Sequence, residues 1–257
     1  MGILTFLGTG GSMGVPVIGC RCPVCVSTDL KNKRTRPSAL LKVHGKTIVI
    51  DAGPDFRTQA LREGIDHIDG VIFTHAHHDH TAGLDDLRVF TMRSSSPIPC
   101  LLSAATAENL KVRYDYIFTH DGRPKLVSKV DLHEIDGDRG EVQFLDIHFH
   151  YLTYIQAMMP VNGFRVGGLS FITDIKDFPE TVYQDLAGTE VLVLSALRHG
   201  PSHMHLTVDE AVEFSQKIGA KQTWLTHIAH ELDHEKTNQD LPSNVQLAYD
   251  GLSIEFH

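Results

Sequence analysis

The chain has 257 residues, 42% apolar and 21% charged, with 21 Gly and 11 Pro. That is the make-up of one ordinary globular domain, taken here as residues 1–257, and it excludes disordered, collagen-like and coiled-coil classes. Its 23 basic against 32 acidic side chains leave a net charge of −9, which disfavours a long nucleic acid as partner because such binding neutralises phosphates with Lys and Arg. Four cysteines are too few for a disulfide scaffold, and no apolar run approaches the roughly eighteen residues of a membrane helix. A cytoplasmic protein without a membrane partner is therefore expected, and a homodimer stays open. The abnormal count is 17 histidines, since imidazole is the commonest protein metal ligand and a proton shuttle.

In chain order, the first apolar, β-branched run is 3–7, read as a buried strand. The Gly8-Thr9-Gly10-Gly11-Ser12-Met13-Gly14 loop after it is read as a tight turn, because Met13 stands at the last glycine of a Gly-x-Gly-x-x-Gly pattern and no Gly-Lys-Ser/Thr follows. Cys20, Cys22 and Cys25 then make a soft thiolate cluster suited to Zn²⁺, with a fourth ligand that spacing alone does not choose. Strands are expected at 47–50, 71–74, 169–173, 191–194 and 223–226. Asp51, His75, Asp174 and His227 stand at or beside the ends of four of them, where a rigid platform can aim a side chain into a cleft. Weaker helix signals cover 55–62 and 105–114. Thr207-x-x-Glu210 is a capping box that opens a helix over 208–218. Strands alternating with helices predict a mixed α/β layered fold. Cys100, standing alone, is read as a small core hydrophobe.

The densest motif is Thr74-His75-Ala76-His77-His78-Asp79-His80. His75 and His77 can aim two ring nitrogens at one cation while Asp79 and His80 aim at a neighbouring point, so two adjacent ions follow. His199, His203 and His205 crowd the segment before the predicted helix. An imidazole there, with an unperturbed pKa of about 6.5, suits a general acid for an alkoxide leaving group. Arg34, Arg36 and Arg88 are candidates for gripping phosphate oxygens.

The His-x-His-x-Asp-His run with Gly83 after it resembles the signature of the metallo-β-lactamase superfamily. Phe6-Leu7-Gly8-Thr9-Gly10-Gly11, the triple-cysteine segment, Gly83-Leu84-Asp85-Asp86-Leu87-Arg88, Leu225-Thr226-His227-Ile228-Ala229-His230 and Ala248-Tyr249-Asp250-Gly251 are similar to the PhnP-type phosphodiesterases. The resemblance implies an αββα four-layer sandwich with a dinuclear Zn²⁺ or Mn²⁺ site on one edge. His75 and His77 would hold the first ion and Asp79 and His80 the second; Asp174 would bridge, His227 would complete the second, and Asp51 would sit behind the ligands and orient an imidazole. It also implies His230 as the fourth ligand of a structural Zn²⁺ with Cys20, Cys22 and Cys25. His205, two residues before Thr207, matches the family's general acid, with His203 the second choice. Family members carry a histidine some seven residues before a Gly-aromatic pair, and counting back from Gly163-Phe164 gives Gln156, a weaker, harder donor. The first site is expected to bind its ion weakly; preference for Mn²⁺, recruitment of His148 or His150, or an empty site are the alternatives.

The resulting expectation is a metal-dependent hydrolase in which a metal-bridging hydroxide attacks a small phosphodiester, cyclic ones included, with Asp79 required for turnover. An RNA-processing nuclease, a lactam or thioester hydrolase of the same fold, and a non-catalytic metal-binding protein are the rival readings, the last resting on Gln156.

Overall fold

Short buried strands, each ended by a polar residue, organise the chain. The computed structural model describes every residue except 95 and 120–125. Its strands are β1 (Gly2–Gly8), β2 (Ser38–Val43), β3 (Lys46–Ile50), β4 (Gly70–Ile72), β5 (Ile98–Ser103), β6 (Val130–Ile135), β7 (Arg139–Phe144), β8 (Ile147–Gln156), β9 (Met159–Val166), β10 (Leu169–Ile172), β11 (Val191–Ser195), β12 (Gln222–Thr226), β13 (Val245–Leu247) and β14 (Ser253–Phe256). Among the described residues they form two seven-stranded mixed sheets, ordered β14-β1-β2-β3-β4-β5-β6 and β13-β12-β11-β10-β9-β8-β7.

Side-chain alternation turns these sheets into four layers. Ile48, Ile50, Ile72 and Leu101 of the first sheet pack against Phe149, Tyr151, Phe164, Phe171 and Val193 of the second. Their neighbours Val49, Val71, Phe73 and Leu102 face the other way, onto Phe56, Phe90 and Leu110 of helices Phe56–Arg62, Arg88–Ser94 and Ala104–Arg113. On the far side Leu192, Leu194 and Leu225 meet Ala211 and Phe214 of helix Val208–Ile218. Strands covered on both faces read as continuous apolar runs rather than alternating ones, which is why the parallel strands β3, β4, β11 and β12 were visible as sequence. The αββα expectation is met.

Helix Val208–Ile218 has the predicted bounds: Thr207 and Glu210 form the reciprocal capping box, and Gly219 closes it in the left-handed conformation at φ 74°. The expected helices at 55–62 and 105–114 are Phe56–Arg62 and Ala104–Arg113. The glycine loop is a turn, as predicted, with Gly14 at φ 65°. It lies so close to the chain's far end that a Cβ on Gly11 would sit 3.3 Å from the His227 ring.

Candidate metal centre

Three strand ends supply the site through one backbone device. Asp51, Asp174 and His227 follow β3, β10 and β12 and adopt φ of 59°, 55° and 58°. The left-handed region costs a non-glycine residue of order 1 kcal/mol or more, so three instances around one cluster mark a place where packing over-determines the backbone. The turn lifts each side chain over the edge of its sheet.

Asp51 is buried beneath the histidine motif. Its Oδ1 accepts from the Thr74 backbone N–H at 2.8 Å, its Oδ2 accepts from Thr74 Oγ1 at 2.8 Å, and His80 Nδ1 lies 2.6 Å from the same Oδ2. That contact fixes the ring with Nε2 facing the cluster and raises its basicity as a donor. Burial works against a charged His80, but Asp174, Asp51 and Asp79 outweigh it and raise its pKa well above the ordinary value.

Around His80 Nε2 the donors close into a ring. Asp79 Oδ2 lies 3.5 Å from His80 Nε2 and 3.4 Å from His227 Nε2; Asp174 Oδ2 lies 3.3 Å from His80 Nε2, and Asp174 Oδ1 3.3 Å from His227 Nε2. Donors about 2.0–2.1 Å from one tetrahedral ion stand about 3.3–3.4 Å apart, so these separations fit a bound divalent cation. The unpaired atoms agree: His80 Nε2, His227 Nε2 and Gln156 Oε1 are buried without a hydrogen-bond partner. Buried polar atoms are rarely orphaned, and three around one cluster point to an ion. Burial opposes ionisation of Asp79 and Asp174, yet the surrounding imidazoles hold both below the usual carboxylate range.

The neighbouring donors are poorer. His75 Nε2 and His77 Nδ1 stand 2.9 Å apart, His75 is fully buried, and Thr74 Oγ1 sits 2.9 Å from its Nδ1. Desolvation lowers the pKa of both rings, favouring the neutral, ligating form. Gln156 ends β8 with its side chain in the cluster. Its Nε2 donates to Asp174 Oδ1 at 3.1 Å and lies 3.2 Å from His205 Nε2, which leaves Oε1 as the available donor. Among the described residues His75 comes within ligating reach of His80 and Asp174, while His77 joins no such group of three; an ion held by His75, His77, a carboxylate and the amide oxygen would have a hard donor set.

His205 joins the cluster, stacked on His227 with ring centroids 4.4 Å apart and Nδ1 3.6 Å from Asp174 Oδ1. Ser202 Oγ accepts from its backbone N–H at 3.2 Å. Burial, reinforced by the nearby His227, takes its pKa down to about 4, so the unperturbed value assumed from sequence does not apply to the free protein. His203 is exposed and lies outside the cluster.

Some expectations need correction. His148 and His150 alternate onto the exposed face of β8, with His150 Nδ1 3.4 Å from Glu141, and neither replaces the missing imidazole. Arg34 is not a phosphate grip: only 2% exposed, it donates to Thr9 Oγ1 at 2.7 Å and to the Ala248 carbonyl at 2.5 Å, and stands 3.2 Å from His234 Nδ1. Arg36 pairs with Asp55 at 3.0 Å and Arg88 with Asp85 at 3.3 Å, both partly exposed.

Some 210 residues separate the ends of the second constellation. His230 Nδ1 lies 3.3, 3.4 and 3.6 Å from Cys20, Cys22 and Cys25 Sγ. Backbone N–H groups of Cys22, Cys25 and Val17 donate to the sulfurs of Cys20, Cys22 and Cys25 at 3.5, 3.4 and 3.3 Å. The Cys25 N–H, with His230, draws Cys22 down to about 6 against its burial, whereas burial pushes Cys25 up to about 11. Three sulfurs and one imidazole at these separations fit a closed tetrahedral Zn²⁺ site. It would tie the glycine-loop segment to the loop after β12, beside His227. Cys100 is an inert core thiol on β5, raised by burial.

A chain with this fold and these donors belongs to the β-lactamase superfamily: the Beta-lactamase superfamily domain matches residues 46–228. It is similar to a solved structure described as a new diphosphatase from the PhnP family, at 39% identity, TM-score 0.92, and coverage of 100% of this chain and 98% of that one. It is 34% identical over 249 residues to an octanoyltransferase of Porphyromonas gingivalis (strain ATCC BAA-308 / W83), covering 96% of this chain but 50% of that protein. The chain thus spans about half the length of that curated relative. A ribonuclease Z of Methanopyrus kandleri (strain AV19) is 24% identical over 98% of this chain and 97% of its own. Zn²⁺-bound PqqB from Methylobacterium extorquens shares the fold at 18% identity and TM-score 0.76, covering 99% of this chain and 100% of its own. No helix among the described residues is long and apolar enough to cross a membrane.

Proposed function

We propose that the chain hydrolyses a small phosphodiester, cyclic diesters included. The observation that carries this reading is the ring of Asp79, His80, Asp174 and His227 donors at 3.3–3.5 Å beside the His75–His77 pair. The 39% identical PhnP-family diphosphatase supports phosphorus as the electrophile. Divalent ions, when bound, supply Lewis acidity and an acidified water at neutral pH. Asp79, His80, Asp174 and His227 would hold one, and His75, His77, Asp174 and the Gln156 amide oxygen the other; Mn²⁺ suits the harder of the two sets. Asp51 holds the His80 tautomer throughout. His205 would hand a proton to the departing oxygen, and the negative charge of a bound phosphate favours its protonated form.

The test is a substrate panel run on metal-loaded protein: aryl and cyclic phosphodiesters, a disubstituted diphosphate, a phosphomonoester, a precursor RNA, a lactam and an octanoyl thioester. Diester turnover that disappears with chelator and returns with Mn²⁺ or Zn²⁺ is expected. Faster turnover of lactam, thioester or RNA would replace this reading, and metal binding without any turnover would make the chain a sensor. A diphosphate is the second reading, favoured by the description of that relative. The acidic balance of −9 speaks against the RNA.

A further inference from the structure

Among the four donors of the histidine motif, His77 is the least enclosed. His75 and His80 are fully buried and Asp79 is 7% exposed, whereas His77 is half-buried and its imidazole has one hydrogen-bond neighbour, His75 Nε2. His80 is held by Asp51, and His75 lies against Thr74. The position of His77 has to be set through its backbone.

That backbone is held from a helix 36 residues away in sequence. Arg113 closes helix Ala104–Arg113, and its Nη2 donates both to the carbonyl of Ala76 and, at 3.1 Å, to Thr81 Oγ1. Thr81 Oγ1 in turn donates to the carbonyl of His77 at 2.8 Å. The two peptide groups that flank His77 are therefore both tied to one guanidinium, one directly and one through a buried hydroxyl. The next residue adds a third tie, Tyr114 OH donating to the Thr81 carbonyl at 3.3 Å.

We propose that Arg113 is a positioning residue for the first metal site, fixing His77 Nδ1 against His75 Nε2 by anchoring the peptide groups on either side of it. The proposal rests on the reading of His75, His77, Asp174 and Gln156 as donors to one ion. It matters more here than it would beside a third imidazole: with an amide at 156 the site keeps two strong nitrogen donors, and the pre-orientation of each carries a larger share of the affinity. Partners one step behind a ligand are typically worth about 10–100-fold in metal affinity.

The experiment is a Mn²⁺ titration of chelator-stripped protein, followed by calorimetry and electron paramagnetic resonance. It uses the wild type, Arg113→Ala, Arg113→Lys and Thr81→Val, each also in an Asp79→Ala background that deletes a carboxylate belonging to the second site alone. Arg113→Ala should weaken the first site by about tenfold or more and leave the second within about twofold; Thr81→Val should fall between. Arg113→Lys, which keeps one charged donor, should recover part of the loss. Equal weakening of both sites, or a lowered unfolding temperature with both affinities intact, would make Arg113 merely structural and overturn the proposal. Should Arg113→Ala fail to fold, the Lys and Val variants still decide. A wild type in the Asp79→Ala background that binds no Mn²⁺ would instead refute the donor assignment of the first site itself.

Discussion

Replacing Gly53 by alanine probes the seam on which the second metal site rests. Gly53 follows the Asp51 turn, and a Cβ built on it falls far inside van der Waals contact with the Asp79 backbone carbonyl oxygen, with no flexible side chain available to give way. The opposite wall is equally tight: a Cβ on Gly83 would lie 2.9 Å from Phe56 Cβ and 3.1 Å from the Ala52 carbonyl, while the Gly83 N–H donates to that carbonyl at 2.8 Å. Restoring ordinary contact in Gly53→Ala needs the Asp79 backbone to retreat by well over an ångström, an overpacking cost of about 1–3 kcal/mol or more. A displacement of that size at a reacting centre lowers turnover by about 100-fold. Urea unfolding of metal-loaded protein, kcat/KM on an aryl phosphodiester, and metal content by elemental analysis would be measured together. The expected pattern is loss of stability, loss of rate and loss of the ion at Asp79, with the cysteine-bound Zn²⁺ retained. A variant within threefold of wild-type activity and holding its full metal content would refute the claim that glycine is required there for backbone approach.

Gln156→His should raise first-site occupancy and affinity for Zn²⁺, read by elemental analysis and competition with a chelator; no gain of metal would show that residue 156 is not a donor position. Cys22→Ser should release one equivalent of Zn²⁺ and lower the unfolding temperature while the active-site ions stay, checked by metal content and calorimetry. Arg34→Met should cost about 3 kcal/mol, because the Ala248 carbonyl and Thr9 hydroxyl lose a buried charged partner, with little change in the KM of the folded fraction. His234 is buried and kept unprotonated, taken down to about 4 by desolvation and by the adjacent Arg34. Because the unfolded chain binds this proton below about 6.5 and the folded chain only below about 4, stability should fall as pH drops through that window, by roughly 2–3 kcal/mol. The difference in unfolding free energy between wild type and His234→Asn across pH 4 to 7 isolates the effect; a flat difference would contradict it.

Sequence made the local parts of the site legible. The histidine motif is a run of seven residues, and Asp51, Asp174 and His227 stand out as polar residues at or just beyond apolar strands. Their left-handed backbone, which does the aiming, leaves no residue-type signal because none of the three is glycine. Gln156 was locatable by counting, but its bond to Asp174 depends on the end of β8 being bridged, through Ile155 and Asp177, to the segment after β10, two strands away in the same sheet. Arg113 gave no signal at all: a basic residue in the last turn of a helix looks like an ordinary complement to the helix dipole. Arg34 misled in the opposite direction, since a charged residue among other basic ones reads as a grip for phosphate until its burial is known. Strands β7 to β9 offered no unbroken apolar run. Their alternating pattern, with His148 and His150 outward and Phe149 and Tyr151 inward, belongs to antiparallel strands with one solvated face.

The donors divide by origin. His75, His77, Asp79 and His80 hang from the half of the sandwich that holds β3 and β4, while Gln156, Asp174, His205 and His227 hang from the half that holds β8, β10 and β12. Any cation bound among them is a rivet through two leaves of a hinge, so occupancy and the closeness of the leaves must rise and fall together. Stripping the ions should accordingly speed amide hydrogen exchange along the shared rim before it touches either sheet's interior.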